Sequence, residues 1–163
     1  MIFDEDGHPV NAHANRIYTD LEQYITSTGS DSKNERRLYL TDSLYPDQIQ
    51  EAYIDIRYTE GGDTTNITYR EDWNNGSWEC RWGRHSNDHS TTEHFHYPPN
   101  PDADTDPYTC DADYDKGLLM TDTVVSFIKK RIEDIWSSQE DPTYPANYTW
   151  NNEYQPDMYD CTE

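Results

Sequence analysis

Positive charge is what this chain has least of. Lysine occurs only at positions 33, 116, 129 and 130, and 12 Lys plus Arg stand against 33 Asp plus Glu in 163 residues. The formal net charge of −21 makes the protein repel itself in dilute buffer. At about 1 M salt the screening length falls to roughly 3 Å and that repulsion largely disappears. The composition therefore points to a cytoplasmic protein of a salt-accumulating microbe, a haloarchaeon. Cysteine is nearly absent too. Cys80, Cys110 and Cys161 make an odd number with no CxxC, which argues against a disulfide framework and for incidental thiols in a reducing compartment. No apolar run approaches the length of a membrane span, so no membrane partner is expected. The opening Met1-Ile2-Phe3-Asp4-Glu5-Asp6 has neither a basic nor an apolar region and does not read as a signal peptide.

Aliphatic residues are sparse. Leu, Ile, Val and Phe number 22 together, and low apolar content with high charge is the signature of disorder. Against it stand 14 Tyr and 5 Trp, each able to bury a large area. The balance predicts one domain with a folded centre over 15–137, weakly structured ends at 1–14 and 138–163, and an acidic loop at 98–117.

Periodicity organises that centre. Ile17, Leu21, Tyr24 and Ile25 recur at helical spacing before Gly29, predicting a short helix. Leu38 and Leu40 alternate with polar residues, suggesting a strand that could reach Leu44. Ala52, Ile54, Ile56 and Tyr58 alternate with Tyr53, Asp55 and Arg57; after Gly61-Gly62-Asp63, Thr65, Ile67 and Tyr69 do the same. Asn74-Asn75-Gly76 marks a second hairpin turn, followed by alternating Trp78, Cys80 and Trp82. A three-stranded antiparallel meander over 51–83 follows. His94-Phe95-His96-Tyr97 reads as a short strand, and Val124, Val125, Ile128, Ile132, Ile135 and Trp136 form the stripe of a last helix from about Thr121 to Ser137. Together these elements predict an α+β fold: an antiparallel sheet of four to five strands with an N-terminal and a C-terminal helix packed on one face.

One stretch concentrates chemistry. His85, His89, His94 and His96 fall within twelve residues, and the rest of the chain holds two histidines. Arg81 and Arg84 lie at its leading edge. Histidine titrates near neutrality and can act as acid or base. Phosphodiester transfer needs a base for the 2′-hydroxyl, an acid for the leaving oxygen and a cation for the charge that builds on phosphate. His94 and His96 share one face of a strand and are the first candidates for acid and base, with His85 and His89 next. Arg81 and Arg84 would hold phosphate, and Trp82 is available for base stacking. Two other readings stay open: a metal site built from these histidines with Asp88 or Glu93, and incidental surface histidines of an acidic interaction module. Asp102-Ala103-Asp104-Thr105-Asp106 imitates an EF-hand opening, but Pro107 and Asp113 stand where Gly and Glu are needed, so a solvated loop is expected. Lys129-Lys130-Arg131 reads as the solvated face of a helix, with Lys129 and Glu133 as an i,i+4 pair.

The order of these residues resembles the TumE-type toxins. Arg81-Trp82-Gly83-Arg84-His85, then His89, then His94-Phe95-His96, then the helix 121–137 are similar to that family's arrangement of an Arg-aromatic-Asp segment, close-set histidines and a terminal amphipathic helix. Gly83 stands where the family has Asp. The similarity spans roughly 50–137. It implies a toxin component of a toxin–antitoxin system, paired with a DNA-binding antitoxin and acting on RNA; with the histidine and arginine chemistry above, the expectation is an endoribonuclease that uses no cofactor.

Overall fold

The computed structural model describes residues 8–30, 32–59, 64–74, 76–85, 93–96, 108–110 and 119–136. An N-terminal helix α1 (Pro9–Leu21) is followed by strands β1 (Ile25–Gly29), β2 (Glu35–Leu40), β3 (Ile49–Thr59), β4 (Thr64–Trp73), β5 (Gly76–His85), β6 (Glu93–His96) and β7 (Tyr108–Cys110), then by helix α2 (Leu119–Lys130). The strands form one sheet in sequence order, each antiparallel to the next. The α+β class with a helix near each end is as expected, but the sheet is wider, with seven strands.

Two elements correct the sequence reading. The first helix starts at Pro9, inside the segment expected to be weakly structured. Proline at the first helical position lacks only an N–H that would have no intrahelical acceptor. His8 caps the helix, its Nδ1 accepting the Val10 N–H at 3.3 Å. Val10, Ala14, Ile17 and Leu21 then lie on one stripe, all fully buried. That helix stops at Leu21 because Ile25 leaves the helical register to pair with Leu40 as the start of β1. The second correction is β7, a three-residue strand inside the segment expected to be an acidic loop. Leu44 ends a short helical turn, Asp42–Leu44, and does not extend β2. The EF-hand-like Asp102–Asp106 stretch, the rest of 98–117 apart from β7, and the tail 138–163 lie outside the described residues.

The meander β3–β5 is the centre of the sheet, as its alternation predicts. One face buries Leu38, Leu40, Ala52, Ile54, Ile56, Ile67, Tyr69, Trp78, Cys80 and Trp82. Helix α1 packs on β2 and β3 and α2 on β5, and both add their stripes to the same core. The seam between the helices is closed by a 2.7 Å hydrogen bond shared by His13 Nδ1 and Thr121 Oγ1 and by Arg16–Asp122 at 3.2 Å. Phe127 fills the middle of this layer, 5.2 Å from the Trp82 ring and stacked on Trp78 at 6.3 Å.

The last helix departs from expectation at Arg131. In place of a solvated basic face, its guanidinium is 3% exposed and lies among core residues. It grips Glu71, which is fully buried, through Nε to Oε2 and NH2 to Oε1, both at 2.7 Å. Tyr69 donates its hydroxyl to the same carboxylate at 2.5 Å and Trp73 donates Nε1–H at 3.0 Å. Four donors thus satisfy one buried carboxylate, and Arg131 also stands 4.1 Å over the Trp78 ring. From this residue onward the chain widens into a π-helical turn, Arg131–Trp136.

Candidate functional site

Strand parity splits each β-strand between two faces. Odd positions of β4 and even positions of β5 enter the core, so Asn66, Thr68, Arg70, Ser77, Glu79 and Arg81 belong to the opposite face. Among the described residues no element packs on that face. Register aligns its rows. Arg37, Asp55, Thr68, Arg81 and His96 form one row across β2 to β6; Glu35, Arg57, Asn66, Gly83 and His94 form the next. His85 is paired with Thr64 beyond that second row. Tyr39, Tyr53, Arg70 and Glu79 form a row on the other side of Arg81.

These rows sort the residues singled out in the sequence. Arg81, His85, His94 and His96 fall at register positions of one parity, the parity of the uncovered face. Arg84 falls in the other parity, opposite Thr65 and Glu93. An interval of three residues in a strand always changes face, so this separation was legible in the spacing. Trp82 is a core residue at 0% exposure against Phe127, which removes it from any stacking surface. His89 lies outside the described residues. The remaining histidines, His8 and His13, serve the cap of α1 and the helix seam; His8 Nε2 also shares a 2.9 Å hydrogen bond with Asn34 Oδ1.

Sequence reasoning missed much of the uncovered face. Arg57, Arg70 and Arg81 share that face in three successive rows, and no role there had been assigned to Arg57, Arg70, Arg37, Tyr39, Tyr53, Glu35 or Asp55. Glu35 and Asp55 are both nearly buried. Arg57 binds Asp55 Oδ2 through Nε at 2.7 Å and reaches Glu35 Oε2 at 3.1 Å. Arg37 approaches Asp55 at 3.4 Å and Glu35 at 3.6 Å. Burial pushes the Glu35 carboxyl above its ordinary range, helped by its hydrogen bond to Asp55 and that residue's charge, while Arg57 and Arg37 pull the other way. Arg70 binds Asp72 at 2.8 Å and lies 4.0 Å from Glu79. Among the described residues no group of three or more His, Cys, Asp or Glu could hold a metal ion.

A sheet covered by two helices on one face, with arginines and tyrosines on a second face that no other described element covers, defines a small α+β protein. The chain matches the family model of Toxin TumE over residues 14–141, a stretch that begins in α1 and runs past α2. It belongs to that family and is the toxin component of a toxin–antitoxin system, with a cognate antitoxin as partner. No curated protein and no solved structure matches it. No described helix is long and apolar enough to cross a membrane.

Proposed function

We propose that this toxin is an endoribonuclease that needs no metal and works on the uncovered face at the β5–β6 corner. One histidine, His94 or His96, takes the proton of a 2′-hydroxyl as its oxygen attacks phosphorus. The other protonates the departing 5′-oxygen, leaving a 2′,3′-cyclic phosphate and a 5′-hydroxyl. Arg81 stabilises the charge that builds on the phosphate oxygens. His85 and His89 are the reserve candidates for the proton transfers, and Arg84, at a register position of the other parity, is left out of the phosphate site.

The observation that carries the reading is the register of β5 with β6. It aligns Arg81 with His96 and Gly83 with His94, so three parts of one mechanism come from two neighbouring strands. A glycine beside His94 leaves that position without a competing side chain. Family membership supports a toxic activity, and a nuclease is a direct way to supply one.

The test is cleavage of a mixed-sequence RNA by the purified full chain in EDTA. His94→Ala and His96→Ala should each slow it by about 10²–10⁴-fold, the usual weight of acid–base catalysis. Products should carry cyclic phosphate ends. Wild-type rates in the double variant, with the fold intact by circular dichroism, would remove both histidines from the mechanism.

A further inference from the structure

We infer that the substrate is single-stranded RNA, and that one of its bases stacks on the Tyr39–Tyr53 pair, two to three strands away from Arg81. This rests on the nuclease reading for its site and goes beyond it in naming the form of the nucleic acid and the residues that select it.

Tyr39 and Tyr53 are register partners on β2 and β3, each partly exposed on the uncovered face. Their ring centroids are 5.8 Å apart with planes tilted by 58°. The Arg37 guanidinium stands 4.2 Å over the Tyr53 ring. Arg70 follows in the same row, and its charge acts on the Tyr53 hydroxyl together with that of Arg37. Aromatic rings and guanidinium planes on an open sheet are the surfaces on which unpaired bases stack. Two strand spacings across the sheet and two residues along it, about 12 Å in all, separate Tyr53 from Arg81. That is a reach of one or two nucleotides from a phosphate held at Arg81.

Charge balance argues for an unpaired strand. A duplex hides its bases, so a protein holds it largely through phosphates and needs a positive field. Here three arginines of the face, Arg37, Arg57 and Arg70, meet Glu35, Asp55, Asp72 and Glu79 on the same face, on a chain whose net charge is −21. The arginines therefore supply local contacts and no broad attraction. Affinity has to come from stacking, which only unpaired bases offer. Stacking also survives concentrated salt, which abolishes phosphate steering.

The experiment measures fluorescence anisotropy of a labelled, fully 2′-O-methylated RNA decamer, which cannot undergo the proposed cleavage, as a single strand and annealed to its complement. The single strand should bind the full-length wild type at least tenfold more tightly than the duplex. Its salt slope should be shallow, about −0.7 to −1.4 for one or two phosphate contacts. Tyr53→Ala should weaken single-strand binding by about five- to a hundredfold, the weight of one stacked base. Tyr53→Phe should restore it, because the ring and not the hydroxyl is used. Tyr39→Ala should act in the same direction, with melting curves confirming that each variant folds. Equal affinity for duplex and single strand, no binding of the single strand, or unchanged binding in Tyr53→Ala would each overturn the inference. So would loss of antitoxin binding in Tyr53→Ala with RNA binding intact, which would make the face a protein-docking surface. Binding as expected by a protein that does not cleave unmodified RNA would instead overturn the nuclease reading alone.

Discussion

Arg131 and Glu71, sixty residues apart, form a bidentate ion pair inside the core, with both N···O distances at 2.7 Å. The pair pins α2 to β4 at the point where the helix changes to a π-helical turn. Removing one member of a buried pair leaves the other charged and without compensation, at a cost of about 3–5 kcal/mol. Arg131→Met and Glu71→Leu should each lower the melting temperature strongly, by roughly 6–20 °C for a domain of this size. The double variant should recover much of that loss, because neither charge then remains. A double variant as unstable as the sum of the two singles would show that the pair contributes through packing and not through mutual neutralisation.

Why this pair was hidden in the sequence is instructive. Glu71 continues the odd-numbered run Thr65, Ile67, Tyr69, and parity alone would place it on the buried face. Arg131 lies seven residues after Val124 and next to Ile132, inside the helix stripe. Each was legible as a charged residue at a core position, but only the tertiary structure pairs them. The meander was readable because alternation over ten residues leaves one face to bury. Strand β1 was not, because Tyr24 and Ile25 extend the helical period of Ile17 and Leu21, and only pairing with β2 breaks it. Parity could likewise have parted Arg81 from Arg84 and placed Trp82 in the core beside Trp78 and Cys80. The Glu35–Asp55 cluster carried no local signal, since its four members come from two strands in a register fixed only by the fold.

That cluster has a pH signature. The Glu35 carboxyl titrates above its ordinary range in the folded protein, chiefly because it is buried and then because it bonds Asp55. The folded state therefore holds a proton that the unfolded state releases. Its contribution to stability is complete below the ordinary glutamate range and is lost as pH rises through the raised value. Glu35→Gln keeps a neutral side chain at every pH. Its melting temperature minus that of the wild type should grow as pH is raised from 4.5 towards 8, in buffers of equal ionic strength. A constant or shrinking difference would contradict the raised titration of Glu35.

Net charge leads to a prediction about salt. With 33 acidic and 12 basic residues, the folded chain concentrates like charges that the unfolded chain spreads apart. Molar KCl screens them to about 3 Å. Thermal melts should move upward steadily from 50 mM to 2 M KCl. A midpoint that does not respond would mean that the ion pairs of the sheet face and core already compensate the acidic surface, and would remove the physical basis for a high-salt habitat.

The two arginines at the leading edge of the histidine cluster should behave differently. Register sets Arg81 against His96 and in the row of Arg37, Asp55 and Thr68 on the uncovered face. Arg84 is set against Glu93 and Thr65, and Thr65 is buried on the helix side. If phosphate is held on the uncovered face, Arg81→Ala should slow RNA cleavage by about 10²–10³-fold, the usual effect of deleting one preorganised group that stabilises transition-state charge. Arg81→Lys should recover only part of the loss, since an ammonium cannot present two parallel N–H groups. Arg84→Ala should cost less than tenfold in rate. Single-turnover cleavage of one labelled RNA by the three variants, each checked by its melting curve, separates the cases. A larger loss for Arg84→Ala than for Arg81→Ala would move the phosphate site off the open face and take the proposed mechanism with it.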